Sequence, residues 1–250
     1  MCCFSGEVED VSNTKIFARF IEDQLQGIAY QMDYAAKAEV AMILPAPLRG
    51  CQGDKIEFIN LEKYADFFLD MHKGFPRPRN RGPGGFGGSG GPEAVEEKIV
   101  VEEVGSFEAS FVPTIKDFDR LDERFRLPAG TWDKLPGYRD YSFAVFQLKP
   151  DAHTVHPMAF TFPTRKRAPL FFPTVHIHDG LVHDWAGFDH TLYLQPRDFE
   201  QMLPDGWTES AQPARAFMKM RKDQGLLEGN LHCYRRKLQG QLKNADTFVA

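Results

Sequence analysis

"LQGIAYQMDY" (residues 25–34) and "EVAMILPAPL" (39–48) decide the fold. In the first, Ile28, Tyr30, Met32 and Tyr34 alternate with small or polar residues, the period-two pattern of a strand. The second is a short, nearly unbroken apolar run closed by prolines, the length and ending of a buried strand. "DKIEFIN" (54–60) reads as a third strand. The period then changes. In "NLEKYADFFLDMH" the apolar residues Leu61, Tyr64, Phe67/Phe68 and Met71 recur at helical spacing, with Asn60 placed as an N-cap. Strands leading into a short helix point to an α+β protein.

Working outward, residues 73–98 are rich in glycine and proline and cannot supply a core, so they read as a flexible insertion. No Lys-Ser/Thr ends this stretch as in a nucleotide P-loop, and no Gly-x-Gly-x-x-Gly opens a helix there, so no nucleotide cofactor is expected. Beyond it, "EKIVVEEV" and "GSFEASFV" read as strands. "TIKDFDRLDERF" reads as a helix capped by Thr114, with Ile115, Phe118, Leu121 and Phe125 facing inward. "YSFAVFQLK", "HPMAFTFPT", "LFFPTVHIH" and "HTLYLQ" read as further strands, and "PRDFEQML" as a short helix begun by Pro196. The tail from Ala211 reads as helical, over "AQPARAFMKMRKDQ" and "HCYRRKLQ". The strand–proline–strand–helix order before the insertion echoes the order after it. The expected organisation is a first β-rich half (1–72), the insertion (73–98), a second β-rich half (99–205) and a helical tail (206–250). These parts are expected to form one integrated domain of mostly antiparallel sheets, with two related halves.

Bulk properties restrict the function. The 250 residues are 42 % apolar and 26 % charged, an ordinary globular balance able to bury a sizeable core. Phenylalanine, at 22 copies against 7 tyrosines and 3 tryptophans, favours a well-filled interior. A formal charge of −5 argues against a nucleic-acid partner. The basic runs Arg77–Arg81, Arg165–Arg167 and Arg235–Lys237 read as solvated surface. No apolar run reaches the roughly 18 residues of a membrane helix, and Glu7, Glu9 and Asp10 stand where a secretory leader is apolar. A cytoplasmic protein without membrane contact is expected, with its four cysteines as thiols.

"CCF" near the start, "TKIFAR", "YQMDY", "AMILPAP", "VGSFEASFV", "FRLPAG", "YSFAVFQLK" and "HPMAFTFPTR" resemble the motifs of a bacterial family of unknown function. That family has an N-terminal cysteine motif, a Val/Leu-Pro-x-Pro strand and a Gly-Pro-Tyr-Glu-Val strand. The resemblance spans about residues 2–178 outside the insertion. It implies a shared fold and no particular activity. This chain is expected to lack the leader that many members carry, and it differs in its histidine-rich segment.

That segment, "FFPTVHIHDGLVHDWAGFDHTLYLQ" (171–195), places four of the eight histidines within fifteen positions. In a strand, His176 and His178 share one face, a spacing that suits two ligands of one ion. Asp179-Gly180 marks a turn that could return His183 to the pair, and His190 follows as a further candidate ligand. Three imidazoles with an open position suit Zn, and histidine with a carboxylate suits Fe or Mn; a Zn, Fe or Cu ion is the expected cofactor. Asp179 and Asp189 are candidates to hold a ligand's second ring nitrogen. The bland alternative is half-exposed histidines bonded to backbone and water. His153 and His156 read as surface or structural residues.

Cys2 and Cys3 admit three readings. Cys2 could be an N-terminal nucleophile, catalytic once Met1 is removed, with the α-amine as base. Either cysteine could be a thiolate beside the histidines, or could pack as a small apolar side chain. The leading expectation is a metal-dependent protein built on residues 176–190. A non-catalytic module binding a protein or small molecule and an N-terminal-cysteine amidohydrolase are the alternatives.

Overall fold

The computed structural model describes residues 2–75, 101–104, 107–165, 169–196 and 205–249. Most of the expected flexible insertion and most of the expected helix over 196–203 lie outside the described residues. In chain order the first strands are β1 (Cys2–Phe4), β2 (Asp10–Glu22), β3 (Leu25–Ala36), β4 (Val40–Ala46) and β5 (Glu57–Asn60), followed by helix α1 (Phe67–Lys73). Next come β6 (Val101–Val104), β7 (Phe107–Val112), β8 (Ser142–Leu148), β9 (Asp151–Thr154), β10 (Met158–Pro163), β11 (Leu170–Phe172) and β12 (His176–Ile177). The chain closes with β13 (Trp185–Leu194), β14 (Thr208–Glu209), β15 (Tyr234–Lys243) and β16 (Thr247–Val249).

One sheet has the order β12-β1-β4-β8-β7-β6. The other runs β14-β15-β13-β2-β3-β10-β5, with β9 also on β3, and β11 and β16 form a separate pair. The described pairings are antiparallel except β1 with β12 and β13 with β2, which are parallel. The expected "mostly antiparallel" arrangement therefore holds with two exceptions, and both exceptions shape the candidate site.

Period-two alternation explains why the two large sheets face each other. Ile28, Tyr30 and Met32 of β3 meet Met42 and Leu44 of β4 and Phe146 of β8 in a central core. The alternate residues Ala41 and Ile43, with Phe143 and Val145, enter a second cluster with Phe118, Leu121 and Tyr138. Strand β4 is buried on both faces, and for that reason it reads as a continuous apolar run. On the far side of the other sheet, Phe67, Phe68 and Met71 of α1 pack on Phe17, Ala29 and Tyr193. Burying each of those three helix side chains stabilises the fold by roughly 1.5–3 kcal/mol.

Several expectations change. The segment 114–125 forms two 3-10 turns, Ile115–Arg120 and Glu123–Phe125, in place of one α-helix. Thr114 does mark the start: its N–H and hydroxyl both donate to the Asp117 carboxylate, at 3.1 and 2.8 Å. "LFFPTVHIH" is two strands, β11 and β12, because Pro173 interrupts the ladder. The expected helical tail is corrected most. Its regular structure is one 3-10 turn, Ala214–Ala216, and the strands β14, β15 and β16, so "YRRKLQ" is extended. Strands from before and after the insertion interleave in both sheets, as β4 with β8 and β3 with β10 show. Among the described residues, no helix is long and apolar enough to cross a membrane.

Candidate functional site

The site forms where β12 reaches β1 and β13 passes behind them. Val175 and Ile177 enter the cluster beneath β1 and β4. Alternation therefore turns His176 and His178 to the opposite face, as the sequence requires. On β13, Phe188, His190 and Leu192 are buried while Gly187 and Asp189 are exposed, which delivers His190 to the same place. The His176 ring centroid lies 4.9 Å from His178, 4.6 Å from His190 and 4.5 Å from Phe188. His178 meets Phe4 of β1 edge-on at 5.8 Å. Three of the four expected histidines thus gather in one aromatic cluster.

The cluster is largely buried. His176 is 8 % exposed and His190 fully buried. Burial, followed by the neighbouring His190 and His178 imidazoles, pushes the His176 pKa down to about 2. The Nε2 atoms of His176 and His178 are buried with no hydrogen-bond partner among the described residues. Asp189 Oδ1 lies 3.5 Å from His190 Nδ1. The bond to His190, with the Asn13 N–H as a further donor, holds that carboxyl below its usual range. Asp189 therefore stands beside His190 at the edge of the cluster. Among the described residues, no group of three or more histidine, cysteine or acidic side chains is arranged to hold a metal ion.

His183 departs from expectation. It does not return to the His176–His178 pair, and its Nε2 lies 2.8 Å from Asp179 Oδ2. Both side chains are more than half exposed. Asp179 also accepts the Leu181 N–H at 3.0 Å, closing a turn whose Gly180 has φ +74°. Asp179 is accordingly a turn-former that pairs with His183, away from the buried rings. The two residues are local neighbours four positions apart, and the turn that was expected to carry His183 back instead fixes it outside.

Sequence reading missed what holds this segment. Asn244 accepts the His176 N–H at 2.7 Å and donates to the carbonyls of His176 and His183, each at 2.9 Å. Its own N–H donates to Asp184 O at 2.8 Å. Two residues on, Asp246 accepts the N–H groups of Thr174 and Val175 and the Tyr138 hydroxyl, at 2.9, 3.2 and 2.6 Å. The only sequence signal was "NAD" itself, whose short polar side chains are suited to bonding backbone. The clamped loop presents Leu181 and Trp185, 51 % and 64 % exposed, at the surface.

The cysteines separate. Cys3 is fully buried among Ala41, Ile43 and Tyr138, on the face of β1 away from the histidines, so it packs as a small apolar residue and is not a thiolate beside them. The backbone of Cys2 pairs with His176; its side chain, on which both the nucleophile and thiolate readings rest, lies outside what is described. Cys233 is buried, which pushes its thiol up to about 12. His156 packs on Phe107 at 4.2 Å between centroids, a structural role as expected, and the side chain of His153 lies outside what is described.

No family model matches the chain, and no curated protein matches it. Among solved structures, it is similar to baculovirus P35, at 14 % identity over 97 % of both chains with a TM-score of 0.45. A mutated baculovirus P35 after caspase cleavage is similar at 14 % identity over 95 % of this chain and 99 % of that one, TM-score 0.46. The caspase-8/P35 complex is similar at 13 % identity over 95 % of both chains, TM-score 0.46. At these values the likeness assigns this chain neither a family nor a partner.

Proposed function

We propose that this chain is a non-catalytic binding module that engages another protein through the surface at the start of β13. The observation that supports the reading is Trp185, a large aromatic side chain 64 % exposed on a segment fixed by four hydrogen bonds to Asn244. Leu181, 51 % exposed, stands in the same loop. An aromatic anchor held rigidly at the surface loses little conformational entropy on docking, and tryptophan is enriched among residues that dominate binding energy. The buried imidazoles fit this reading as filling between β12 and β13, since they pack on one another and on Phe4 and Phe188. The test is affinity capture from native host cells with the wild-type chain, Leu181→Ser/Trp185→Ser, and Leu69→Ser as a control at another exposed apolar residue. A protein retained by wild type and control but lost by the double variant is expected. Equal capture by all three would overturn the reading.

A second reading is favoured by a different observation, the two buried Nε2 atoms of His176 and His178 without hydrogen-bond partners among the described residues. In this reading the pair takes a Zn, Fe or Cu ion, with Cys2 supplying a thiolate from the neighbouring register position. Metal analysis of the purified chain tests it. Stoichiometric metal, lost in His176→Ala/His178→Ala, supports the reading; a metal-free native chain ends it.

A further inference from the structure

We infer that the partner surface extends from Trp185 along the outer face of β13 and β15, and that it takes an acidic, extended segment of a protein. This rests on the binding-module reading and names the chemistry of its partner. The face follows from register. Directly paired residues in neighbouring strands point to the same side. Trp185 pairs with Lys243, Gly187 with Gln241, Asp189 with Gln239 and Thr191 with Lys237. Thr191 also pairs with Lys15 on β2. Two residues farther on, Tyr193 and Phe17 lie on this same face and are covered by α1. Helix α1, of seven residues and about 10 Å, covers that end together with Ala214, Met218, Leu226 and Leu227. Toward the other end, Trp185, Gly187 and Asp189 are exposed on β13, and Lys237, Gln239, Gln241 and Lys243 on β15.

Charge and shape together select the occupant. Lys15, Lys237 and Lys243 bring positive charge to one face of a chain whose formal charge is −5. Lys15 is partly buried beside Asp33 and Asp189, and its Nζ donates to the Asn13 carbonyl at 3.2 Å, so the accessible positive charge is that of Lys237 and Lys243. Beside Trp185, Gly187 presents bare backbone: a Cβ built there would meet nothing closer than Gln241 Nε2 at 3.7 Å. A peptide backbone can lie across that strip with one apolar side chain on Trp185. From Trp185 to Thr191 the strand covers about 20 Å, the span of roughly six extended residues. Carboxylates near the two ends of such a segment meet Lys243 at one end and Lys237 at the other. A single strand of nucleic acid would also meet lysines and an aromatic ring. The observations favour the peptide, because Gln239, Gln241, Asp189, Thr191 and bare glycine lie along the strip, with one aromatic ring in place of a stacking series.

The test uses the full chain and three fluorescent probes: a peptide alternating glutamate with leucine, its lysine-for-glutamate counterpart, and an oligothymidylate of equal length. The glutamate peptide is expected to bind best, with a blue shift of Trp185 emission that Trp185→Phe removes. Its affinity is expected to fall about tenfold or more in Lys237→Glu/Lys243→Glu, and to weaken with added salt. Equal binding of the lysine peptide, tighter binding of the oligothymidylate, or no effect of the charge reversal would overturn the inference. Circular dichroism of the variant distinguishes lost binding from lost fold. A cellular partner released by Trp185 substitution but indifferent to the lysine reversal would leave the binding-module reading standing without this inference. Indifference to both would remove the two together.

Discussion

Asn244 illustrates how one side chain can fix a surface. It makes three hydrogen bonds through its amide, to the N–H and carbonyl of His176 and to the carbonyl of His183. Truncation would leave partly buried backbone groups unpaired, at about 1–3 kcal/mol. Asn244→Ala is therefore expected to lower the unfolding free energy by that amount in urea titrations, and to speed amide exchange at residues 176–185 more than elsewhere. His176 carries a second expectation. Its ordinary value of 6.5 is lowered by burial, so the unfolded chain binds a proton that the folded chain refuses. Stability from this group is complete above pH 6.5 and is lost as pH falls below it, by at most about 1.4 kcal/mol per unit. Urea midpoints of the metal-free chain between pH 7 and pH 5 are expected to show this slope, and His176→Phe, which keeps a ring in the cluster, to flatten it. A slope unchanged in the variant would assign the acid sensitivity to other groups.

At the scale of elements, close approach matters more than propensity. On β3, a Cβ at Gly27 would lie 2.8 Å from Ile21 Cδ1 and 2.9 Å from Leu226 Cδ2, where the segment after the 3-10 turn crosses the sheet. Leu226 is fully buried and has little room to retreat. Gly27→Ala is expected to destabilise the chain by about 1–3 kcal/mol through overpacking, measured as a lower Tm. Element boundaries were legible where the periodicity was strong: β3, β4, β8 and β10 stand close to their expected spans, whereas the helix expected from Asn60 is a 3-10 turn, Glu62–Tyr64, followed by α1 from Phe67. They were not legible in "HCYRRKLQ". Its charges admit helical spacing, but Leu238 packs on the central core while Lys237 and Gln239 face solvent, the alternation of a strand. A strand whose outer face is charged has too few apolar residues to display its period, and only pairing with β13 resolves it.

Across the whole molecule, the high phenylalanine content is explained by three apolar layers. One lies between the sheets and one on each outer side. Phe146 sits in the central layer, edge-on to Phe58 and Phe107 at 5.5 and 5.8 Å. Phe146→Ala is expected to cost about 3–5 kcal/mol in the unfolding free energy, enough to threaten a marginal domain. The histidine site shows the division between sequence and tertiary structure. That His176 and His178 share a face follows from strand geometry, and that the chain is sheet-rich follows from the alternation in residues 25–48. That His190 joins them while His183 does not was decided by two parallel pairings, β1 with β12 and β13 with β2, and by Asn244 some sixty residues downstream. The physical reason is range. Side-chain direction is set by neighbouring backbone dihedrals and is written locally. Which faces meet is set by the burial of apolar area across the entire chain, and no local stretch contains that information.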